Sequence, residues 1–115
     1  MPTASPHAEY LAAVQAVYNC LENDFDTIYQ ATETVEERQN LRNLHAAARD
    51  AYWRAAATQL ADNNPIVRDI YDDLVRANQE LRDLLANLQR AAALLRLMTQ
   101  AVRLAGALVT LATVA

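Results

Sequence analysis

The stretch LLANLQRAAALLRLM, from Leu84 to Met98, decides how this chain of 115 residues folds. Read as one uninterrupted helix, it carries the apolar run LLRLMTQAVRLAGALVTLATVA (Leu94–Ala115) beyond everything the chain could pack against it. Read as a reversal, it closes the chain on itself. The apolar run holds two charges, Arg96 and Arg103, and the chain's single glycine, Gly106. A heptad frame opening at Val67 crosses the stretch without a skip. Its a positions are Val67, Leu74, Leu81, Leu88, Leu95, Val102 and Val109, and its d positions are Ile70, Ala77, Leu84, Ala91, Met98, Ala105 and Ala112. A period of about 3.5 residues sustained this long keeps one seam of a helix turned toward another helix. The c positions are charged as far as Arg90 (Asp69, Arg76, Asp83) and become Leu97, Leu104 and Leu111 after it, so the seam widens into a helix apolar nearly all round. No Gly, Pro or Asn-Gly pair punctuates a turn near Asn87. The pattern therefore predicts a continuous helix over 65–115, about 75 Å long. The competing arrangement is a closed four-helix bundle with a break near 87–92.

Upstream, two more helices follow from punctuation and period. Ser5-Pro6 supplies an N-cap and a proline at the first helical position. Leu11, Val14, Tyr18, Leu21, Phe25 and Ile28 then recur in steps of three and four, predicting a helix over 6–31. Thr34 and Glu37 have the spacing of a capping box. They open a second helix over 35–61, with Leu41, Leu44, Ala48, Tyr52 and Ala55 facing inward. Asp62-Asn63-Asn64-Pro65 stops it and starts the third. Short turns make neighbours antiparallel, and two helices of these lengths cover the third only to about residue 93. The expected fold is an all-α antiparallel bundle of three long helices in a single domain over 1–115. Residues 1–93 form the bundle and 94–115 an apolar association segment.

Composition agrees with long helices. Ala (24) and Leu (16) dominate, while one Gly and three Pro leave little material for hairpins. A lone Cys20 cannot form an internal disulfide, and MPTASPHAEY has neither the basic nor the apolar region of a signal peptide. The expectation is a cytoplasmic protein, with peripheral membrane attachment open through the tail. The net charge of −4 is unevenly spread: residues 1–37 hold seven carboxylates and no Arg, and residues 84–115 hold Arg90, Arg96 and Arg103 and no acid. An acidic head and three arginines diluted in leucine argue against nucleic-acid binding.

Catalytic chemistry finds few candidates. His7 and His45 lie in different helices without metal-ligand spacing, and His45 beside the inward stripe reads as a structural histidine. Cys20 lies off the apolar stripe with no histidine near it in sequence. Asp69, Asp72 and Asp73 sit in the first turns of the third helix, where carboxylates favour the positive end of its dipole. Glu22, Asp24 and Asp26 read as a solvated acidic face, and the tyrosines with Phe25 and Trp53 read as core. No catalytic residue, cofactor or metal ligand is expected.

The expected function is accordingly non-catalytic: a homo-oligomer, or a protein that binds a partner, through a seam of Leu88, Ala91, Leu95, Met98, Val102, Ala105, Val109 and Ala112. Arg96 and Arg103 would form its charged rim against the carboxylates of a neighbouring first helix. The alternatives are a membrane-associated protein using the Arg-edged tail, and a small acidic inhibitor or immunity-type protein acting through helix one.

Overall fold

The computed structural model describes residues 5–113. Helix α1 (Pro6–Ala31) begins as its cap chemistry dictates, with Ser5 Oγ accepting from the Ala8 N–H at 3.2 Å. Helix α2 (Val35–Ala56) opens on Thr34, whose hydroxyl accepts from the Glu37 N–H at 3.1 Å. The Glu37 carboxylate reaches back to the Glu33 N–H at 2.6 Å, one residue ahead of the cap itself. Helix α3 (Pro65–Ala86) follows Asn64, whose Oδ1 accepts from both Ile66 and Val67 at 2.9 and 3.2 Å. Helix α4 (Ala91–Ala112) completes an all-α bundle without strands among the described residues.

The bundle class agrees with the sequence reading, while the number of helices is that of its four-helix alternative. α3 ends at Ala86 and α4 starts at Ala91, so the continuous helix over 65–115 is replaced by two of 22 residues each. Energetics explain the reversal. Unwinding one turn forfeits about four helical hydrogen bonds at roughly 1 kcal/mol each, and water re-satisfies the freed groups. Folding back buries Leu94, Leu95, Met98, Val102, Leu108 and Val109. Six such side chains contribute about 9–18 kcal/mol before conformational entropy is subtracted. The turn needs no glycine because no described residue takes a positive φ. Asn87 closes α3 at φ −132° and ψ 38°, donating its N–H to Leu84 O at 3.3 Å, and Arg90 enters α4 in extended conformation. A scan for left-handed residues therefore passes over it. The longest dimension is 44 Å, which leaves no room for a 75 Å rod.

α4, like α1, packs on all three other helices. It buries its a positions (Leu95, Val102, Val109), its d positions (Ala91, Met98, Ala105, Ala112) and also its g positions (Leu94, Ala101, Leu108). That broad face meets α1, α2 and α3 together, while α2 and α3 make no contact with each other. The segment between them must therefore cross beneath the end of α4. This is why α2 stops at Ala56 rather than at 61. Leu60, in that crossing, is fully buried, its N–H donating to His7 Nδ1 at 3.0 Å. The Ala61 N–H then donates to Ala112 O at 2.8 Å. Tyr10 donates its hydroxyl to Asp62 Oδ1 at 2.9 Å, fastening the crossing to α1.

Candidate functional site

The proposed seam lies inside the protein. Ala91, Leu95, Met98, Val102, Ala105, Val109 and Ala112 are all buried against the chain's own helices, and Leu88 is half-buried in the α3–α4 turn. The heptad period identified the correct face, but its partners are α1, α2 and α3 rather than another chain. Arg96 and Arg103 are exposed on the outer side of α4, and neither reaches a carboxylate among the described residues. The acids of the N-terminal third are partly committed: on α1 Glu9 pairs with Arg68 at 3.0 Å and Glu22 with His45 at 2.5 Å, and in the α1–α2 turn Glu33 pairs with Arg90 at 3.7 Å. By length and composition alone α4 could cross a membrane (mean hydropathy 1.4), as the core helix of a soluble bundle also could.

The aromatic residues, read as core, lie mostly at its edge: Tyr18, Phe25, Tyr29, Tyr52 and Tyr71 are half-buried against it and Trp53 is exposed. Of the seven, only Tyr10 is buried in the core. Five of the others lie on the outer face shared by α1 and α2, in one continuous run with His45. Tyr29 stacks with Phe25 at 6.2 Å, Phe25 tilts onto His45 at 5.4 Å, and His45 stacks with Tyr18 at 6.0 Å. Tyr18 stacks with Tyr52 at 5.4 Å, and Tyr52 tilts onto Trp53 at 5.8 Å. His45 and Tyr52 lie two turns apart on α2, so their near-parallel rings clamp the Tyr18 ring between them. Phe25, Tyr29, His45, Tyr18 and Tyr52 are half-buried, while Trp53 is 62% exposed. The run spans positions 38–53 of α2, about 22 Å along the helix axis.

Its two edges differ in charge. On α1, Tyr18, Glu22, Phe25 and Tyr29 recur at helical spacing, with Asp26 beside them. On α2, Arg38, Arg42, His45, Arg49 and Tyr52 do the same. Arg38 and Arg42 both lie over the Tyr29 ring, with guanidinium carbons 5.9 and 5.7 Å from its centroid. Neither they nor Arg49 reach a carboxylate among the described residues. In the sequence Tyr18 and Phe25 share a stripe with Leu11, Val14, Leu21 and Ile28, and Tyr52 shares one with Leu41, Leu44, Ala48 and Ala55. The rings at these positions read as core from their spacing, and the structure packs Tyr18, Phe25, Tyr29 and Tyr52 half-buried against it and leaves Trp53 exposed.

Nothing else gathers into a chemical centre. The described residues hold no group of three His, Cys, Asp or Glu side chains set to bind a metal. His7 Nδ1 accepts the Leu60 N–H, which makes this side chain a clasp on the crossing segment. Asp73 pairs with Arg76 within α3. Cys20 lines a shallow concavity of about 280 Å³ between α1 and α3. Burial, and then the nearby Asp24 charge, push its thiol up to about 11, so it is protonated and unreactive near neutrality. Asn78, at the head of the same groove, donates to Ala13 O at 3.1 Å while its buried Oδ1 has no partner. No protein-family model matches the chain, and neither the curated proteins nor the solved structures compared with it give a match.

Proposed function

We propose that this chain is a non-catalytic interaction protein whose working surface is the aromatic face of α1 and α2, in place of the α4 seam expected from the sequence. One observation carries the reading. Five aromatic residues and a histidine are held in mutual contact at the surface of a bundle whose core is built from Leu, Val and Ala. Rings packed on one another lose little further rotamer entropy when a partner covers them, and Tyr, Trp and Arg are the residues that most often carry binding energy. α4, by contrast, cannot offer its apolar face without opening the core.

The test is site-specific photo-crosslinking in the cells that make the protein. A benzophenone side chain in place of Trp53 is expected to capture a protein partner, and one in place of Gln100 on the outer side of α4 is not. The mass of the adduct separates a second copy of the chain from another protein. Capture from position 100 and none from position 53 would move the surface to α4. Membrane association is the second reading, favoured by the composition of α4, by the exposed Leu111 and by Leu97 and Leu104 half-buried on its flank. Flotation of the full chain with anionic liposomes tests it, since the bundle must either present those leucines or open.

A further inference from the structure

We infer that the partner segment taken by this face is an acidic peptide bearing apolar or aromatic side chains; the inference rests on the surface proposed above. The chain as a whole carries a net charge of −4, yet the α2 edge of the aromatic run presents Arg38, Arg42 and Arg49 with no carboxylate on any of them among the described residues. Arg54 pairs with Asp50 and Arg68 with Glu9, whereas Arg38, Arg42 and Arg49 share one helix face without a carboxylate among the described residues, a state that Arg96 and Arg103 reach only on the far side of the bundle. Arg38 and Arg42 both lie over Tyr29, as Arg68 lies over Tyr71, but unlike Arg68 they have no carboxylate among the described residues, so two guanidinium groups sit near one ring with N–H donors open to a partner. A guanidinium in this state binds a carboxylate through paired charge-assisted hydrogen bonds without first being ordered. The one carboxylate in the middle of the run, Glu22, is already joined to His45 at 2.5 Å and so opposes an incoming acid less than a free one would.

The rings define the rest of the ligand. Single-stranded nucleic acid also combines stacking with positive charge, but it needs free ring faces. Tyr18 has both faces occupied, by His45 and Tyr52 at interplanar angles of 16° and 9°. What this surface offers is ring edges and the open Trp53 indole, which suit aliphatic and edge-on aromatic side chains. A run of about 22 Å takes some seven residues of extended peptide or four turns of helix. The peptide's carboxylates therefore lie along α2, away from Asp26 on the α1 edge.

The experiment uses the full chain and three synthetic probes with the same apolar residues: one alternating Glu and Phe, one Gln and Phe, one Lys and Phe. Binding is followed by anisotropy of a labelled probe, with the emission of the only tryptophan, Trp53, reporting the site. The Glu probe is expected to bind saturably, to shift that emission, and to weaken as salt rises. The Arg38→Ala/Arg42→Ala variant is expected to lose about tenfold in affinity, or roughly 1.4 kcal/mol. Its thermal melt checks that it remains folded. Equal binding of all three probes, abolished by Trp53→Ser, would overturn the acidic specificity and leave the surface standing. Preference for a thymidine oligonucleotide or for anionic vesicles over the Glu probe would overturn the peptide inference in favour of those ligands. No binding of the Glu probe would overturn it too, and crosslinking from position 53 judges the surface independently.

Discussion

α4 and the outer face of α1 and α2 are the two places where this acidic chain concentrates apolar side chains, and they end up in opposite environments. α4 is made of Ala, Leu, Val and Met, carries no acid, and is buried on three of its seven heptad positions. The α1/α2 face is made of rings and arginines: its rings are half-buried against the core apart from the exposed Trp53, and Arg42 and Arg49 are in water. The difference teaches that apolar content alone does not locate a binding surface. A stripe of aliphatic residues is readily satisfied inside its own chain. Rings that pack laterally on each other, with guanidinium groups on top, form a surface that is already organised before anything binds.

The comparison breaks first at α4. Leu95→Asp places a carboxylate where Leu95 is 3% exposed, and the cooperative melt seen by circular dichroism is expected to disappear. Leu108→Ala should keep the fold and cost about 2–5 kcal/mol in denaturant titration. A soluble, cooperatively folded Leu95→Asp protein would show that the core lies elsewhere. Next comes Asn78→Leu, which removes an orphaned buried acceptor beside a groove with room for the larger side chain. Stability is expected to rise by about 1 kcal/mol, read as a higher urea midpoint. On the open face, Trp53→Ala should leave the melt within about 0.5 kcal/mol of the parent, because the ring sits at the end of the run and faces water. A larger loss would mean that the rings serve the fold rather than a partner. The smallest effect belongs to Cys20. Its thiol should label with a maleimide far more slowly at pH 7 than in the unfolded chain. Because its pKa is raised in the fold, its contribution to stability is fully present below about pH 9, the ordinary thiol value, and is lost as pH rises through about 11.

Much of the architecture was legible because it depends on local chemistry. The caps at Ser5, Thr34 and Asn64 each form as their side chains require, and the inward faces of α1, α2 and α4 follow the 3.6-residue period. The turn over 87–90 was not legible, since it is driven by distant burial and uses no residue that a helix rejects. Nor was the end of α2, where the need to reach a non-adjacent α3 overrides the propensity of Ala57 and Ala61 to continue the helix. The aromatic face was visible as spacing, but that spacing did not show that its rings stop half-way into the core, or that Trp53 stays outside it. Period says which residues share a face of one helix. It does not say which way that face turns once three others are present.

The crossing of Leu60 beneath α4 has a consequence for how the molecule is made. α4 is the last of the four described helices in chain order and packs on all three others, so α1, α2 and α3 emerge during synthesis with the faces that it covers still open. The α1–α2 hairpin can form early through its three-residue turn, but Leu60 and Ala61 find their places only when the far end of α4 arrives. Assembly therefore waits for the end of α4, and a chain interrupted near residue 90 is expected to remain in an expanded state that proteases attack. Quality control in the cell would see this protein as all or nothing.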